Sequence, residues 1–288
     1  MDVFKLRPGL CPIHKISRDQ FEAATGKMAP WYQLEGDKIV PVAVCPACDN
    51  PIRIVALYER HEKSPAPYGK HSPKHIAGLA DYNHTAYEEC PYANPGREMN
   101  RTMLRPESDV RGRDILQLLR EQFDRVIHLL QRDTGVRISD ALAKKMLDSF
   151  LGMRGHLYVG TNLCNLPWMF GYMTTSQTLY GRIIAKDSDL MDALRRNRHI
   201  KITDESKITA SGDNFVDINF CFMHHKVAQI DSSFHETVNF IVTLNGKAIF
   251  EKKIEVDPMH FHNLVNLPPE RAMRNQRLLD IAAEMISI

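Results

Sequence analysis

The chain has 288 residues, 43% of them apolar and 25% charged, a mix that suits one large or two ordinary globular domains and excludes a mostly disordered polypeptide. Its 37 basic and 35 acidic side chains leave a formal charge of +2, so bulk electrostatics points to no polyanionic partner and any such contact must come from a local cluster. Six cysteines are too few for a disulfide scaffold of this length, and the charged, proline-broken start (Met1 to Pro8) lacks the continuous apolar segment of a secretion signal. The expectation is a cytoplasmic chain whose grouped cysteines bind metal.

In chain order, Ser17-Arg18-Asp19-Gln20 has the spacing of a capping box and predicts a short helix through Ala24. Lys38 to Val44 and Ile52 to Tyr58 are rich in Val and Ile and flank Cys45-Pro46-Ala47-Cys48-Asp49-Asn50-Pro51, which reads as strand, knuckle, strand. From Glu59 to Pro106 no periodicity lasts. A loop of that length in a compact domain calls for a metal or a partner to order it. Ser108 is placed to cap a long amphipathic helix to about Asp133, with Gly135 as its stop, and a second helix is expected from Ser139 to about Leu151. The connection between them suits a packed helical hairpin better than a DNA-reading helix-turn-helix.

Gly155 to Gly181 is the longest stretch without Asp, Glu, Lys or Arg, yet its Thr, Asn, Ser and Gln content argues against a membrane span and for a buried or partner-facing segment. Helical pieces are expected around Trp168 to Ile184 and Asp187 to Asn197. The period then changes to two: Val216, Ile218, Phe220 and Phe222 alternate with polar neighbours, as do Val238, Phe240, Val242 and Leu244. Asn245-Gly246 marks a hairpin, with a return strand from Lys247 to Val256. Pro268-Pro269 is expected to start a final helix whose Met273, Leu278, Ile281, Ala282 and Met285 cover the sheet. The fold class is therefore α+β: a small zinc-ribbon-like module over 1–106, a helical segment over 107–207, and an antiparallel sheet with a covering helix over 208–288.

Cys11-Pro12-Ile13-His14 and Cys45-Pro46-Ala47-Cys48 each place two ligands at the spacing that lets both face one ion, and together they could complete a tetrahedron around structural Zn2+. The loop offers other ligands, His71, His75, His84 and Cys90. A Cys-x2-Cys pair completed by a downstream histidine and Cys90 would serve equally, since Cys90-Pro91 repeats the Cys-Pro start; a second ion on the loop ligands alone is a further alternative, as is a plain polar surface.

Residues 101–207 carry 18 basic and 13 acidic side chains, against 12 and 12 before them and 7 and 10 after. Arg195, Arg196, Arg198 and Lys201 concentrate that excess as candidate phosphate contacts, with Arg101, Arg105, Arg111 and Arg113 as a second group and Trp31 and Tyr32 able to stack on bases. Cations at a helix end also suit the helix dipole with no ligand at all. Glu251 and Lys253 share one side of a strand as in a metal-dependent nuclease, with Asp231 or Glu236 as the missing acid, although an exposed strand gives the same letters. His224-His225 and His260-Phe261-His262 form no ligand pattern. The leading expectation is a non-enzymatic zinc protein that binds DNA or RNA or assembles a complex with other subunits; the alternatives are a metal-dependent nuclease and a pure protein-interaction subunit.

Overall fold

A computed structural model describes residues 1–9, 11–59, 66–211, 216–230, 233–268 and 271–287. Asp231 and Pro269, both singled out above, lie outside the described residues, as does 60–65 of the long loop.

The N-terminal third is built from short strands: β1 (Val3–Lys5), β2 (Ile13–Lys15), β3 (Tyr32–Glu35), β4 (Lys38–Val44), β5 (Pro51–Val55) and β6 (Tyr68–His71). Helix α1 (Arg18–Thr25) is capped by the Ser17 side chain, which accepts from the Gln20 amide, and ends at left-handed Gly26. The main sheet runs β2-β1-β4-β5-β6, all antiparallel, and β3 folds back on β4 as a hairpin. Met1 and Gly69 exchange backbone hydrogen bonds (2.8 and 3.3 Å), which bring the far edge of β6 round to the start of β1. Val3, Phe4, Ile13, Phe21, Ala43, Ile52 and Ile54 fill the small core inside this curl. Helix α2 (His84–Glu88) stands in the long loop, capped by Asn83.

Helix α3 (Val110–Thr134) starts one residue later than the sequence suggests, because the Asp109 carboxylate, not Ser108, takes the first free amide (Arg111, 2.9 Å). It kinks at Gln122 and stops at left-handed Gly135. Helix α4 (Asp140–Gly152) follows from its Ser139 cap. Helix α5 (Leu166–Tyr172) is shorter than expected: Ser176, Gln177 and Thr178 are claimed by the sheet, where β7 (Gln177–Thr178) pairs with Phe220 and Asn219. Helix α6 (Asp189–Arg195) and the β8 (Ile200–Ile202) and β9 (Ile208–Ala210) hairpin complete the middle.

The C-terminal strands β10 (Ile218–Ile230), β11 (Ser233–Leu244) and β12 (Lys247–Glu255) form with β7 an antiparallel sheet in the order β12-β11-β10-β7. The Asn245-Gly246 turn has positive φ at both residues, as the dipeptide demands. Two helices follow where one was expected. Asp257 caps α7 (Pro258–Val265) with Pro258 at its first position, whereas Pro268 begins only a turn and Asn275 caps α8 (Gln276–Met285). Leu278, Ala282 and Ile286 are buried in the core that α3, α4, α5 and the sheet share, while Met273 is fully exposed. The charge-free segment is buried, as its composition requires: Trp168, Met169 and Phe170 have no exposed surface. Among the described residues no helix is long and apolar enough to cross a membrane.

Candidate metal centre

The knuckle between β4 and β5 arises from local chain chemistry. The Cys45 amide donates to the Asn50 carbonyl (2.8 Å), the Asp49 amide donates to the Cys45 carbonyl (3.1 Å), and Asp49 adopts a left-handed φ of 62°, so the chain reverses over residues 45–50 with both cysteines in the turn. The Asp49 carboxylate, paired with buried Lys5 of β1, anchors the turn to the neighbouring strand. The other two members come from the long loop: His71 ends β6, opposite Ile52, and Cys90 opens a second tight turn in which the Ala93 and Asn94 amides both donate to its carbonyl (3.1 Å each).

These four side chains meet. Cys45 Sγ lies 3.7 Å from Cys90 Sγ, while His71 Nε2 lies 3.3 Å from Cys48 Sγ and 3.6 Å from Cys90 Sγ. All four ligand atoms fall within 4.8 Å of one another. A zinc ion about 2.3 Å from sulfur and about 2.0 Å from nitrogen gives tetrahedral edges of about 3.8 Å between sulfurs and about 3.5 Å from sulfur to nitrogen. The group therefore has the size and the soft donors of a Cys3His metal site, compatible with structural zinc. The three cysteines are buried and His71 is half-buried, and its ring packs edge-on to Tyr87 at 5.4 Å.

Asn50, with no exposed surface, supports the group from behind. Its Nδ2 donates to the Asn83 carbonyl (3.0 Å) and to Cys48 Sγ (3.4 Å), and its Oδ1 accepts from the Asn83 amide (2.6 Å). Burial, reinforced by the neighbouring Cys48 sulfur, pushes the Cys45 and Cys90 thiols well up. Cys48 suffers the same burial, but hydrogen bonds from Cys45, Cys90 and His71 outweigh it and hold its thiol well down. A divalent cation at the centre of the group would supply the charge that favours the thiolate form of all three cysteines.

The structure does not bring Cys11 and His14 into this group. The β1–β2 hairpin sets His14 opposite Phe4, with ring centroids 5.2 Å apart, and Cys11 donates to the Arg7 carbonyl (3.1 Å) beside a pocket lined by Leu118, Phe261 and His262. His75 pairs instead with Asp81, and His84 with Glu88 (3.4 Å), both exposed. Among the described residues there is one such group, so the two-ion alternative is not assembled.

Of the basic residues, Arg195 faces Asp192 at 3.7 Å and Arg198 donates to His199 (3.3 Å), while the side chains of Arg196 and Lys201 have no partner among the described residues. Arg195, Lys201 and Lys186 line one shallow depression. The second basic group is mostly engaged in structure. Arg105 is buried and donates to the carbonyls of Tyr158, Val159 and Thr161; Arg111 pairs with Asp109 and Glu89; Arg101 bonds the Phe222 carbonyl. Trp31 donates to the Leu6 carbonyl (2.9 Å) and Tyr32 bonds Tyr58 (2.6 Å), so both serve packing. Glu251 and Lys253 lie on the exposed side of β12, where Asn239 donates to Glu251 (2.5 Å).

Glu236 sits elsewhere, in a buried network that sequence patterns do not reveal. Its Oε1 accepts from His225 Nε2 (2.8 Å) and Asn165 Nδ2 (2.5 Å), which leaves His225 Nδ1 to accept from the Tyr158 hydroxyl (2.9 Å). Both ring nitrogens are occupied, so this histidine is a fixed support rather than a free base. Gly160 is required beside it: a Cβ there would stand 2.6 Å from the Tyr158 ring and 2.8 Å from the His225 ring. No family model, curated protein or solved structure matches the chain.

Proposed function

We propose that the chain is a zinc-stabilised, non-enzymatic binding protein whose partner is a nucleic acid, met by the basic surface around the end of α6 and β8. The observation that supports a structural role for a metal is closure: the four candidate ligands, three of them buried, would fill a tetrahedron and leave no position for a substrate or an activated water. An ion there would fasten the β4–β5 knuckle, the end of β6 and the segment after α2, joining pieces far apart in sequence. Support for the partner is the depression lined by Lys186, Arg195 and Lys201, with Asp204 as the carboxylate on its lining; Arg196 and Arg198 follow Arg195 in the chain. The test is metal analysis of protein never exposed to chelator, expected to give about one zinc per chain, with a salt titration of DNA and RNA binding. Replacing Arg195, Arg196 and Arg198 by Ala should weaken binding to all sequences and flatten the salt dependence by up to about three units of slope. An unchanged slope refutes the nucleic-acid reading.

One observation favours complex assembly as a second reading. Leu34 and Ile39 face each other across the β3–β4 hairpin and are 73% and 67% exposed. Clustered apolar exposure of that kind suits a protein partner. Absence of any nucleic-acid binding at low salt would move this reading to first place.

A further inference from the structure

A cleft of about 880 Å³ opens between the segment 96–102 and the middle of β10, away from the metal group and from the α6–β8 surface. Its volume falls in the range of about 300–1,000 Å³ typical of ligand pockets. One wall comes from a β-bulge between Met223 and Lys226, where His224 takes a φ of 56°; the bulge turns His224 and Lys226 to solvent and His225 inward. On the other side, the Arg101 guanidinium lies over the Tyr172 ring, 4.7 Å from its centroid, and donates to the Phe222 carbonyl. The network of Tyr158, His225, Glu236 and Asn165 fixes the floor.

The charges of this cleft are unbalanced. The side chains of Lys226 and His224 have no partner among the described residues, and the remaining N–H groups of Arg101 have none either; Glu98 is the carboxylate on the lining. An arginine stacked on an aromatic ring and tied by one amino group is held in place before any ligand arrives, so its other donors bind an oxyanion with little loss of freedom. Its flat stack also offers a surface for a planar ring, and Lys226 adds a compact charge suited to phosphate.

We propose that this cleft binds a nucleotide unit, with the phosphate held by Lys226 and Arg101 and the base laid against the Arg101–Tyr172 stack. The unit arrives either as a free nucleotide or as part of a single strand. This site is separate from the basic surface at α6 and does not depend on it.

The experiment titrates AMP, adenosine and a short single-stranded DNA against the zinc-loaded full chain, as wild type, as Lys226→Glu, as Arg101→Gln and as the triple Arg195, Arg196, Arg198→Ala variant. AMP is expected to bind, and adenosine to bind at least about tenfold more weakly, because the charge-assisted contacts are to phosphate. Lys226→Glu, an exposed substitution, should lower AMP affinity at least about tenfold with an unchanged circular dichroism spectrum. If Arg101→Gln unfolds by releasing the Phe222 carbonyl, Lys226→Glu alone decides. DNA binding that also falls in Lys226→Glu supports the inference and makes a strand the source; AMP binding without DNA binding supports it, makes a free nucleotide the source and refutes the nucleic-acid function proposed above. The inference is overturned if neither AMP nor DNA binds at millimolar concentration, if adenosine binds as tightly as AMP, or if Lys226→Glu leaves affinity within about twofold. DNA binding lost in the triple arginine variant and kept in Lys226→Glu, with no binding of AMP, overturns the cleft while the proposed function stands.

Discussion

Asn50→Ala isolates what the protein itself contributes to the metal group, because Asn50 is not a ligand. The side chain is fully buried and makes three contacts, two to the Asn83 backbone and one to Cys48 Sγ. Truncation removes bonds with a net worth of about 1 kcal/mol each, and leaves the part-buried Asn83 amide and carbonyl to find water or go unpaired, at about 1–3 kcal/mol for a group that stays dry. The expected loss of stability is therefore about 2–4 kcal/mol. The same truncation frees Cys48 of its outer donor and unpins the loop that leads through α2 to Cys90. Loss of an outer-shell partner typically weakens metal affinity about 10–100-fold, so zinc should pass to a competing coloured chelator at a correspondingly lower chelator concentration. Urea unfolding in the presence of excess zinc measures the first effect and chelator competition the second. Zinc retention within about twofold of wild type would show that Asn50 is mere filling and that the group does not hold metal in the arrangement described.

In protein supplied with zinc, a thiol reagent should modify partly exposed Cys11 and Cys221, and chelation should add Cys45, Cys48 and Cys90; Cys164, pushed up to about 12 by burial, should resist until global unfolding, and mass spectrometry of the alkylated peptides reads the order. Asp109 is desolvated, which raises its pKa, but hydrogen bonds and charge from Arg111 prevail and hold it below the ordinary aspartate value of 3.8; a depressed carboxyl contributes stability above that value and loses it as pH falls through the folded pKa, so wild type should lose its advantage over Asp109→Asn below about pH 4 in acid-unfolding curves. Gly160→Ala forces a Cβ into the Tyr158 and His225 rings and should cost about 1–3 kcal/mol, whereas Gly152→Ala at the open end of α4 should gain up to about 1 kcal/mol, both by urea denaturation. Glu236→Ala leaves His225 Nε2 and Asn165 Nδ2 buried without an acceptor and should cost about 2–5 kcal/mol in the same assay; a loss below about 1 kcal/mol would mean that water already shares the site.

The elements legible in the sequence are those with a strong local cause. Ser17, Ser139 and Gly135 act at the helix ends where their chemistry puts them, and Asn245-Gly246 turns the chain because few other dipeptides accept two positive φ values. Thr174 to Thr178 was hidden because its conformation is set by a distant strand: its residues read as a helix continuation until β10 offers Asn219 and Phe220 as partners. The metal group shows the same division. Cys45 and Cys48 declare themselves because one knuckle holds both, while the choice of His71 and Cys90 over Cys11 and His14 is made by which strand ends arrive at the knuckle, and spacing carries no record of that. Cys90-Pro91 did repeat the Cys-Pro start, the one local hint available. The network of His225 and Glu236 left no trace, since a histidine and a glutamate eleven residues apart acquire meaning only when a bulge and a strand pairing set them face to face.

These two centres are joined by a short chain of polar contacts, which would give a metal at the Cys3His group a reach beyond the strands that hold it. Glu89, next to Cys90, lies 3.0 Å from Arg111 and 3.5 Å from Arg105. Arg105, nearly fully buried, can hold its charge there only because carbonyls and Glu89 surround it; burial lowers its pKa to about 10, with Arg111 adding to the fall. Its guanidinium in turn grips the carbonyls of Tyr158, Val159 and Thr161, and Tyr158 hands the constraint to His225 at 2.9 Å. A second tie runs from the Gly96 amide to the Val227 carbonyl (2.7 Å), across the mouth of the cleft. Release of Cys90 would therefore free Glu89, leave Arg105 buried with one fewer countercharge, and loosen the loop that seats Tyr158. Because each link is a buried or half-buried polar group that is costly to leave unpaired, the arrangement is held as a unit, and a metal held by the four ligands would steady the floor beneath the cleft as well as the long loop.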